Sequence, residues 1–260
     1  MQTMTTSEHM LDVAGQTTRL IDAGEGDPVV VLHGWGGRIE SMTPVLSCLS
    51  SAFRTIAIDL PGFGGSPPPA AVWGTREYAT YVEAVLAELE IERAHFVGHS
   101  FGGKTSLMLA ATRPPLVDKL IVVDPTGLRI PPSMKARAKR AVSRVGRAAG
   151  ALGPPGKLLK QAIYSRIASS DYKQAGPMRP ILVRVVNEDL ADVLPAIAAS
   201  TLIVWGSLDD AVPLSHAHAM EKAIPDAGLV VFEGAGHFPY LEEPDRFCRI
   251  ARHFLGKPLS

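Results

Sequence analysis

Short, continuous runs of β-branched and other apolar residues recur along the chain and constrain its fold more than any other feature. They lie at residues 29–32, 55–58, 95–97, 120–123, 202–205 and 229–232. Strands covered on both faces need apolar residues at consecutive positions, which is typical of parallel sheets. Helical patterns long enough for crossover connections separate the runs, notably at residues 78–90, 102–111, 216–224 and 244–255. This alternation predicts an α/β fold.

The alternation breaks between Thr126 and Asp192. Helix-like segments punctuated by proline and glycine pairs replace the strand and helix units there. We interpret residues 126–192 as a helical cap, or lid, inserted over the sheet. Residues 1–125 and 193–260 then form one core, and a chain of 260 residues is short enough for a single core to suffice.

The strongest chemical motif is Gly98-His99-Ser100-Phe101-Gly102-Gly103. It follows a strand-like run and opens a helical pattern, which is the context of a nucleophile elbow. Side chains two residues before and after the serine would crowd the neighbouring strand and helix, so small residues are needed there. The motif predicts Ser100 as a nucleophile. The alternative is a serine that only caps the helix.

Glycine-rich turns after other strands favour the nucleophile interpretation. His33-Gly34-Trp35-Gly36-Gly37 follows the run at 29–32, and we expect the backbone N–H groups of Trp35 and Phe101 to form an oxyanion hole. The side chains of Trp35, Phe101 and Phe238 are candidates for substrate contact, although aromatic residues beside such a turn are as often packing residues.

An acid and a base follow the last two runs. Asp209 comes just after the run at 202–205, at the edge where open α/β sheets collect functional groups, and His237 follows the run at 229–232. The order Ser100, Asp209, His237 is the order expected of a triad on this fold. Asp210 and Asp124 remain alternatives for the acid.

Together, the segments His33 to Gly37, Asp59 to Ser66, Gly98 to Gly103, Trp205 to Asp209 and Gly236-His237 resemble the α/β-hydrolase superfamily over about residues 28–255. The resemblance implies an eight-stranded, mostly parallel sheet with the cap inserted after strand six. It also implies that residues 8–22 supply the first antiparallel strands. A serine nucleophile implies an ester, thioester, lactone or amide substrate.

The resulting hypothesis is a serine hydrolase, carboxylesterase-like, that acts through an acyl-enzyme on a small-molecule acyl substrate without a cofactor or metal. A carbon–carbon bond hydrolase or a perhydrolase would use the same triad. The alternative that is not an enzyme is a non-catalytic ligand receptor on the same fold.

Several histidines receive other interpretations. We expect His33 to support the oxyanion turn by hydrogen bonding and the side chain of His99 to turn away from Ser100. His216 and His218 are two residues apart on a predicted helix and point about 200° apart, so they do not share a metal ion easily.

The formal net charge is zero, so the charge of the whole chain does not favour binding to nucleic acid.

The cap is unusual in its charge, because residues 125–170 contain ten Lys or Arg and no acid. Within 133–149, Arg137, Arg140, Arg144 and Arg147 fall on a face away from the apolar residues. This face is an ordinary solvated surface, or it contacts an anionic substrate or a peripheral anionic membrane surface.

No stretch is apolar enough to span a bilayer and the N-terminus is polar, so we expect a cytoplasmic protein. We expect it to be a monomer or a dimer. Cys48 and Cys248 are far apart in sequence, and the default expectation is two buried free thiols rather than a disulfide.

Overall fold

The computed structural model describes residues 6–129 and 175–259 and contains one eight-stranded sheet. The spatial order is β1-β2-β4-β3-β5-β6-β7-β8. Strands β3 to β8 pair in parallel, whereas β2 pairs antiparallel with both β1 and β4. The strands are β1 (Thr6–Val13), β2 (Gln16–Ala23), β3 (Pro28–Leu32), β4 (Arg54–Ile58), β5 (Ala94–His99), β6 (Val117–Val123), β7 (Ser200–Gly206) and β8 (Ala227–Phe232).

Helices cover both faces of the sheet. Numbered in chain order within the described residues, they are α1 (Thr43–Leu49), α2 (Thr75–Glu88), α3 (Phe101–Thr112), α4 (Arg179–Asn187), α5 (Ser215–Ala223), α6 (Pro239–Glu242) and α7 (Pro244–Leu255). None of these helices is both long and apolar enough to cross a membrane.

Burial on two faces explains the continuous apolar runs. In β3, Val30 and Leu32 belong to the core cluster shared with α2, α3, α4 and α5, while Val29 and Val31 belong to the cluster shared with α1, α6 and α7. Successive side chains of a strand point to opposite faces, so a strand covered by helices on both sides requires apolar residues at every position. Each predicted run is a strand, and the four predicted crossover helices are present as α2, α3, α5 and α7.

The predicted cap is only partly within the described residues. β6 ends at Val123 and β7 begins at Ser200, which places the insertion after the sixth strand, as expected. Residues 130–174, including the predicted basic helix at 133–149, lie outside the described residues. The division into core and cap therefore stays a prediction.

Helix α4, in the described part of this insertion, is tied to the core by buried polar contacts. Lys104 of α3 is almost fully buried, and its Nζ donates to the carbonyl oxygen of Glu188 at 2.9 Å and to that of Val185. The Glu188 carboxylate in turn accepts the Thr75 amide at 2.8 Å, at the start of α2. Burial lowers the pKa of Lys104 to about 8, and the two carbonyls at the C-terminal end of α4 are favourable partners for a cation.

The expectation of two free thiols is wrong, because Cys48 and Cys248 form a disulfide with Cα atoms 5.8 Å apart. Cys48 lies in α1 and Cys248 in α7, and these helices pack side by side on one face of the sheet. Sequence separation hides this proximity, since the two cysteines are 200 residues apart. Disulfides are unusual in the cytosol, and a cytoplasmic location remains a prediction.

We predict that the disulfide contributes strongly to stability because it closes a loop of 200 residues in the unfolded chain. Replacing both Cys48 and Cys248 by serine should lower the free energy of unfolding by about 2 to 5 kcal/mol. Thermal unfolding with and without a reductant measures this effect. Reductant should lower the Tm of the wild type and leave that of the double variant unchanged. Equal Tm values for the oxidised wild type and the double variant would contradict the prediction.

Candidate active site

Ser100 occupies a sharp turn between β5 and α3. Its backbone has φ of 50° and ψ of −107°, a conformation that is uncommon for a residue with a side chain. The glycines of the motif are needed for close approach. A Cβ on Gly98 would lie 2.6 Å from the Gly102 carbonyl oxygen, and one on Gly102 would lie 2.3 Å from that of Leu32. Strain and packing together fix Ser100 at the edge of the sheet.

The parallel sheet brings the predicted residues to this edge. Ser100 follows β5, Asp124 follows β6, Asp209 lies beyond β7 and His237 lies beyond β8. Backbone bonds extend the ladders past the strand ends, because the Ser100 amide donates to Val123 at 2.9 Å and the Asp124 amide donates to Val204 at 3.0 Å. The carboxyl ends of three neighbouring strands, β5, β6 and β7, are thereby held in register.

Ser100, His237 and Asp209 form a continuous hydrogen-bonded chain. The Nε2 atom of His237 lies 3.1 Å from Oγ of Ser100, and its Nδ1 lies 2.7 Å from Oδ2 of Asp209. The other carboxylate oxygen of Asp209 accepts the amides of Ala211 and Val212 at 2.7 and 2.9 Å. Although burial opposes ionisation, the hydrogen bonds from His237 and the Val212 amide hold the pKa of Asp209 below its usual value.

Of the three candidate acids, Asp209 contacts the base. Asp210 is exposed, whereas the side chain of Asp209 is hydrogen-bonded to His237. Asp124 is buried beside the pair, where one oxygen of each carboxyl and one ring nitrogen of His237 lie within 4.8 Å of one another.

The turn that carries Trp35 is held by His33 and by a buried acid. The buried His33 ring bonds the Gly34 carbonyl through Nδ1 at 2.7 Å and accepts the Leu60 amide through Nε2 at 3.0 Å. These partners identify the neutral form protonated on Nδ1, and burial lowers the pKa of His33 accordingly. Asp59 Oδ1 accepts the Ile39 amide at 2.7 Å just after the turn.

Phe101 is the first residue of α3, so its amide has no acceptor within the helix. The ring of Phe101 is buried, and its centroid lies 5.4 Å from that of Trp35. The two residues expected to form an oxyanion hole are therefore brought next to each other at the helix N-terminus, where the helix dipole favours negative charge.

The three aromatic candidates for substrate contact occupy different environments. Trp35 is half-buried and lines a cavity of about 360 Å³. Phe101 packs inside the core, and Phe238 is 43% exposed and packs edge-to-face against His237 with ring centroids 5.2 Å apart. The remaining cavity walls are Gly36, Gly62, Phe63, Pro68, Ala175, Pro177 and Met178.

His99 is a residue whose role sequence reasoning missed. Its Nε2 lies 2.8 Å from the backbone carbonyl of His237, to which it donates, so it fixes the turn that presents the base. Burial, reinforced by the neighbouring His237, lowers the pKa of His99 to about 3. The sequence placed His99 beside the nucleophile but gave no sign that its ring reaches a loop 138 residues further on. Gly34 is needed here, since a Cβ at that position would lie 2.7 Å from His99 Nδ1.

Comparison with known proteins places this chain in one family. A family model described as the alpha/beta hydrolase family matches residues 29–250. The chain belongs to the α/β-hydrolase family. The fold predicted from the sequence resemblance is thereby confirmed, and membership of this family makes the protein a hydrolase.

Individual relatives differ in what they hydrolyse. The hydrolase is 30% identical to a pimeloyl-[acyl-carrier protein] methyl ester esterase of Vibrio vulnificus, with 90% of this chain and 96% of the relative covered. It is 29% identical to a 2-hydroxy-6-oxononadienedioate/2-hydroxy-6-oxononatrienedioate hydrolase of a Pseudomonas species, over 91% and 90% of the two chains. Among solved structures, a meta-cleavage product hydrolase from Pseudomonas fluorescens is similar, with a TM-score of 0.73, 25% identity and coverage of 95% and 97%.

The low pKa of His99 predicts a pH dependence of stability. Between the folded value of about 3 and the ordinary value of about 6.5, the unfolded chain binds more protons than the folded one. The free energy of unfolding should therefore fall as the pH is lowered from 6.5, by about 1.4 kcal/mol per pH unit from this one ring. His99→Gln, which keeps an N–H donor but does not titrate, should remove this contribution.

Denaturant unfolding between pH 4 and 7 measures the difference. His218→Gln is the matched control, because it removes an exposed histidine and leaves the buried one in place. Parallel loss of stability in the wild type and in His99→Gln would show that His99 is not held neutral.

Proposed function

We propose that the protein is a serine hydrolase that cleaves a carboxylic ester or a related acyl bond, with Ser100 as nucleophile, His237 as base and Asp209 as the acid that orients the base. The observation that carries this proposal is the hydrogen-bonded chain from Ser100 through His237 to Asp209. A serine beside a histidine that is in turn oriented by a buried carboxylate is the arrangement that activates a hydroxyl nucleophile.

In the first half of the reaction, Ser100 Oγ attacks the acyl carbon while Nε2 of His237 removes the hydroxyl proton. The carbonyl oxygen becomes an oxyanion that accepts hydrogen bonds from the amides of Trp35 and Phe101. Collapse of this intermediate breaks the bond to the leaving group, which takes the proton from His237. The product of this half is an acyl-Ser100 ester.

In the second half, a water molecule attacks the acyl-Ser100 carbon and gives its proton to Nε2 of His237. The second tetrahedral oxyanion uses the same two amides, and its collapse returns the proton to Ser100 Oγ and releases the acid. Asp209 remains ionised throughout and stabilises the imidazolium that forms twice in the cycle. No cofactor takes part in these steps.

Hydrolysis of a carbon–carbon bond is the second candidate. It is favoured by the similarity to the Pseudomonas dioate hydrolase and to the meta-cleavage product hydrolase. Similarity to the pimeloyl methyl ester esterase favours the ester. The geometry of the triad does not discriminate between ester and carbon–carbon bond hydrolysis, because acyl transfer to serine is compatible with either leaving group.

The predicted contact of the basic cap with an anionic substrate or surface falls on residues 133–149, outside the described residues.

The triad is tested by labelling with a fluorophosphonate probe. Wild-type protein should react rapidly, Ser100→Ala should not react, and His237→Ala should react far more slowly because no base activates the hydroxyl. Hydrolysis of a short p-nitrophenyl ester should fall at least about ten-thousand-fold in both variants. Asp209→Asn should also lower the rate strongly, because His237 loses the carboxylate that orients it. Asp210→Asn, which alters the exposed neighbouring acid, is the matched control and should retain activity. Absence of labelling in folded wild-type protein would favour the receptor alternative.

The ester and carbon–carbon candidates are separated by comparing two substrate classes. A p-nitrophenyl ester series and a 2-hydroxy-6-oxodienoate are assayed with the same preparation, and Ser100→Ala provides the blank for each. We expect kcat/KM for the best ester to exceed that for the dienoate by about 100-fold or more. The reverse order would replace esterase by carbon–carbon hydrolase while leaving the triad in place.

A further inference from the structure

Asp124 is a buried acid at the active-site edge to which the proposed mechanism assigns no step. It directly follows β6, its side chain is fully buried and its φ of 43° is in the left-handed region. Its Oδ1 accepts the Gly206 amide at 3.0 Å, at the end of β7. Its Oδ2 is buried and receives no N–H or O–H donor within the described residues.

The neighbours of Asp124 are unfavourable for a second negative charge. Asp209 and His237 lie within 4.8 Å, and Glu242 and Tyr240 of α6 are near enough to interact electrostatically with Asp124. Two ionised carboxylates this close and this poorly solvated repel each other strongly, so such pairs hold one proton between them. The Asp124–Asp209 pair therefore carries one negative charge when His237 is neutral.

The hydrogen bonds decide which carboxyl holds the proton. Asp209 receives three N–H donors, from Ala211, Val212 and His237, and each stabilises an ionised carboxylate. Asp124 receives one, from Gly206, and no donor among residues 6–129 and 175–259 reaches its second oxygen. Burial, with a further contribution from the charge of Asp209, raises the pKa of Asp124 to about 9 in agreement with this assignment.

We propose that Asp124 is a positioning residue that stays protonated and shares its Oδ2 proton with the carboxylate of Asp209. This inference rests on the triad of the proposed function. The shared proton keeps the charge of the pair at one and withdraws part of the negative charge that Asp209 presents to His237. The imidazolium form of His237 is therefore stabilised less than it would be beside an isolated carboxylate.

Two substitutions distinguish the effect of the Asp124 proton from the effect of packing by its side chain. Asp124→Asn retains an acceptor for Gly206 and an N–H donor for Asp209, and Asp124→Gly removes both. Asn and Gly also tolerate the positive φ at this position. The measurements are the titration of aspartate carboxyl carbons by 13C NMR on labelled protein and the pH profile of kcat/KM for the best p-nitrophenyl ester.

We expect one carboxyl carbon of the wild type to titrate near pH 9 and to be absent from the spectra of both variants. The acid limb of the kcat/KM profile should move to higher pH in Asp124→Gly, by about half a unit to one unit, and should return to the wild-type position in Asp124→Asn. A side chain that only fills space would alter kcat or stability without this shift and its recovery.

Two results would overturn the proposal. A carboxyl carbon of Asp124 that titrates in the ordinary range of about 4 would show that the proton is elsewhere. An acid limb at the same pH in all three proteins would show that the proton has no effect on His237. If Asp124→Gly does not fold, the comparison of the wild type with Asp124→Asn tests the proposal. The kcat/KM of the wild type should change near pH 9, and that of Asp124→Asn should not. The NMR titration needs no turnover, so it distinguishes failure of this proposal from failure of the proposed hydrolase activity.

Discussion

Parallel pairing of β5, β6, β7 and β8 is the constraint on which the rest of the active site depends. All four strands end at the same edge, and the residues just beyond them are Ser100, Asp124, Asp209 and His237. Main-chain bonds from the amides of Ser100 and Asp124 continue the ladder one step past the strand ends. Short loops therefore suffice to bring groups from distant parts of the sequence within hydrogen-bond reach, and the apolar sheet below supplies a rigid base.

Three groups that support this edge, His33, His99 and Asp209, are each held in one charge state by burial or by hydrogen bonds. His33 and His99 are neutral because burial cuts their rings off from water, and this effect outweighs the hydrogen bonds that they donate to backbone carbonyls. Asp209 is ionised because three N–H groups point at it. Such an arrangement costs stability at low pH, yet it fixes donors and acceptors before a substrate arrives, which lowers the reorganisation that a reaction requires.

Sequence reasoning predicted the strands, the main helices and the three residues of the hydrogen-bonded chain. These succeeded because the signals are local: apolar runs of strand length, glycines where a Cβ would collide, and turn residues directly after a strand. It missed the Cys48–Cys248 disulfide and the bond from His99 to the His237 carbonyl. Both join segments separated by more than 130 residues, and no local pattern records such a contact.

By itself, the sequence determined the α/β architecture and the identity of Ser100, Asp209 and His237 as candidate site residues, because periodicity and glycine placement follow from backbone sterics. Only the tertiary structure decided that Asp209 rather than Asp124 bonds His237, that His99 holds the base's turn, and that α1 and α7 meet closely enough for a disulfide. The physical reason is that hydrogen bonds and charge states depend on distances across the sheet and on burial, and both are set by how helices and strands pack together.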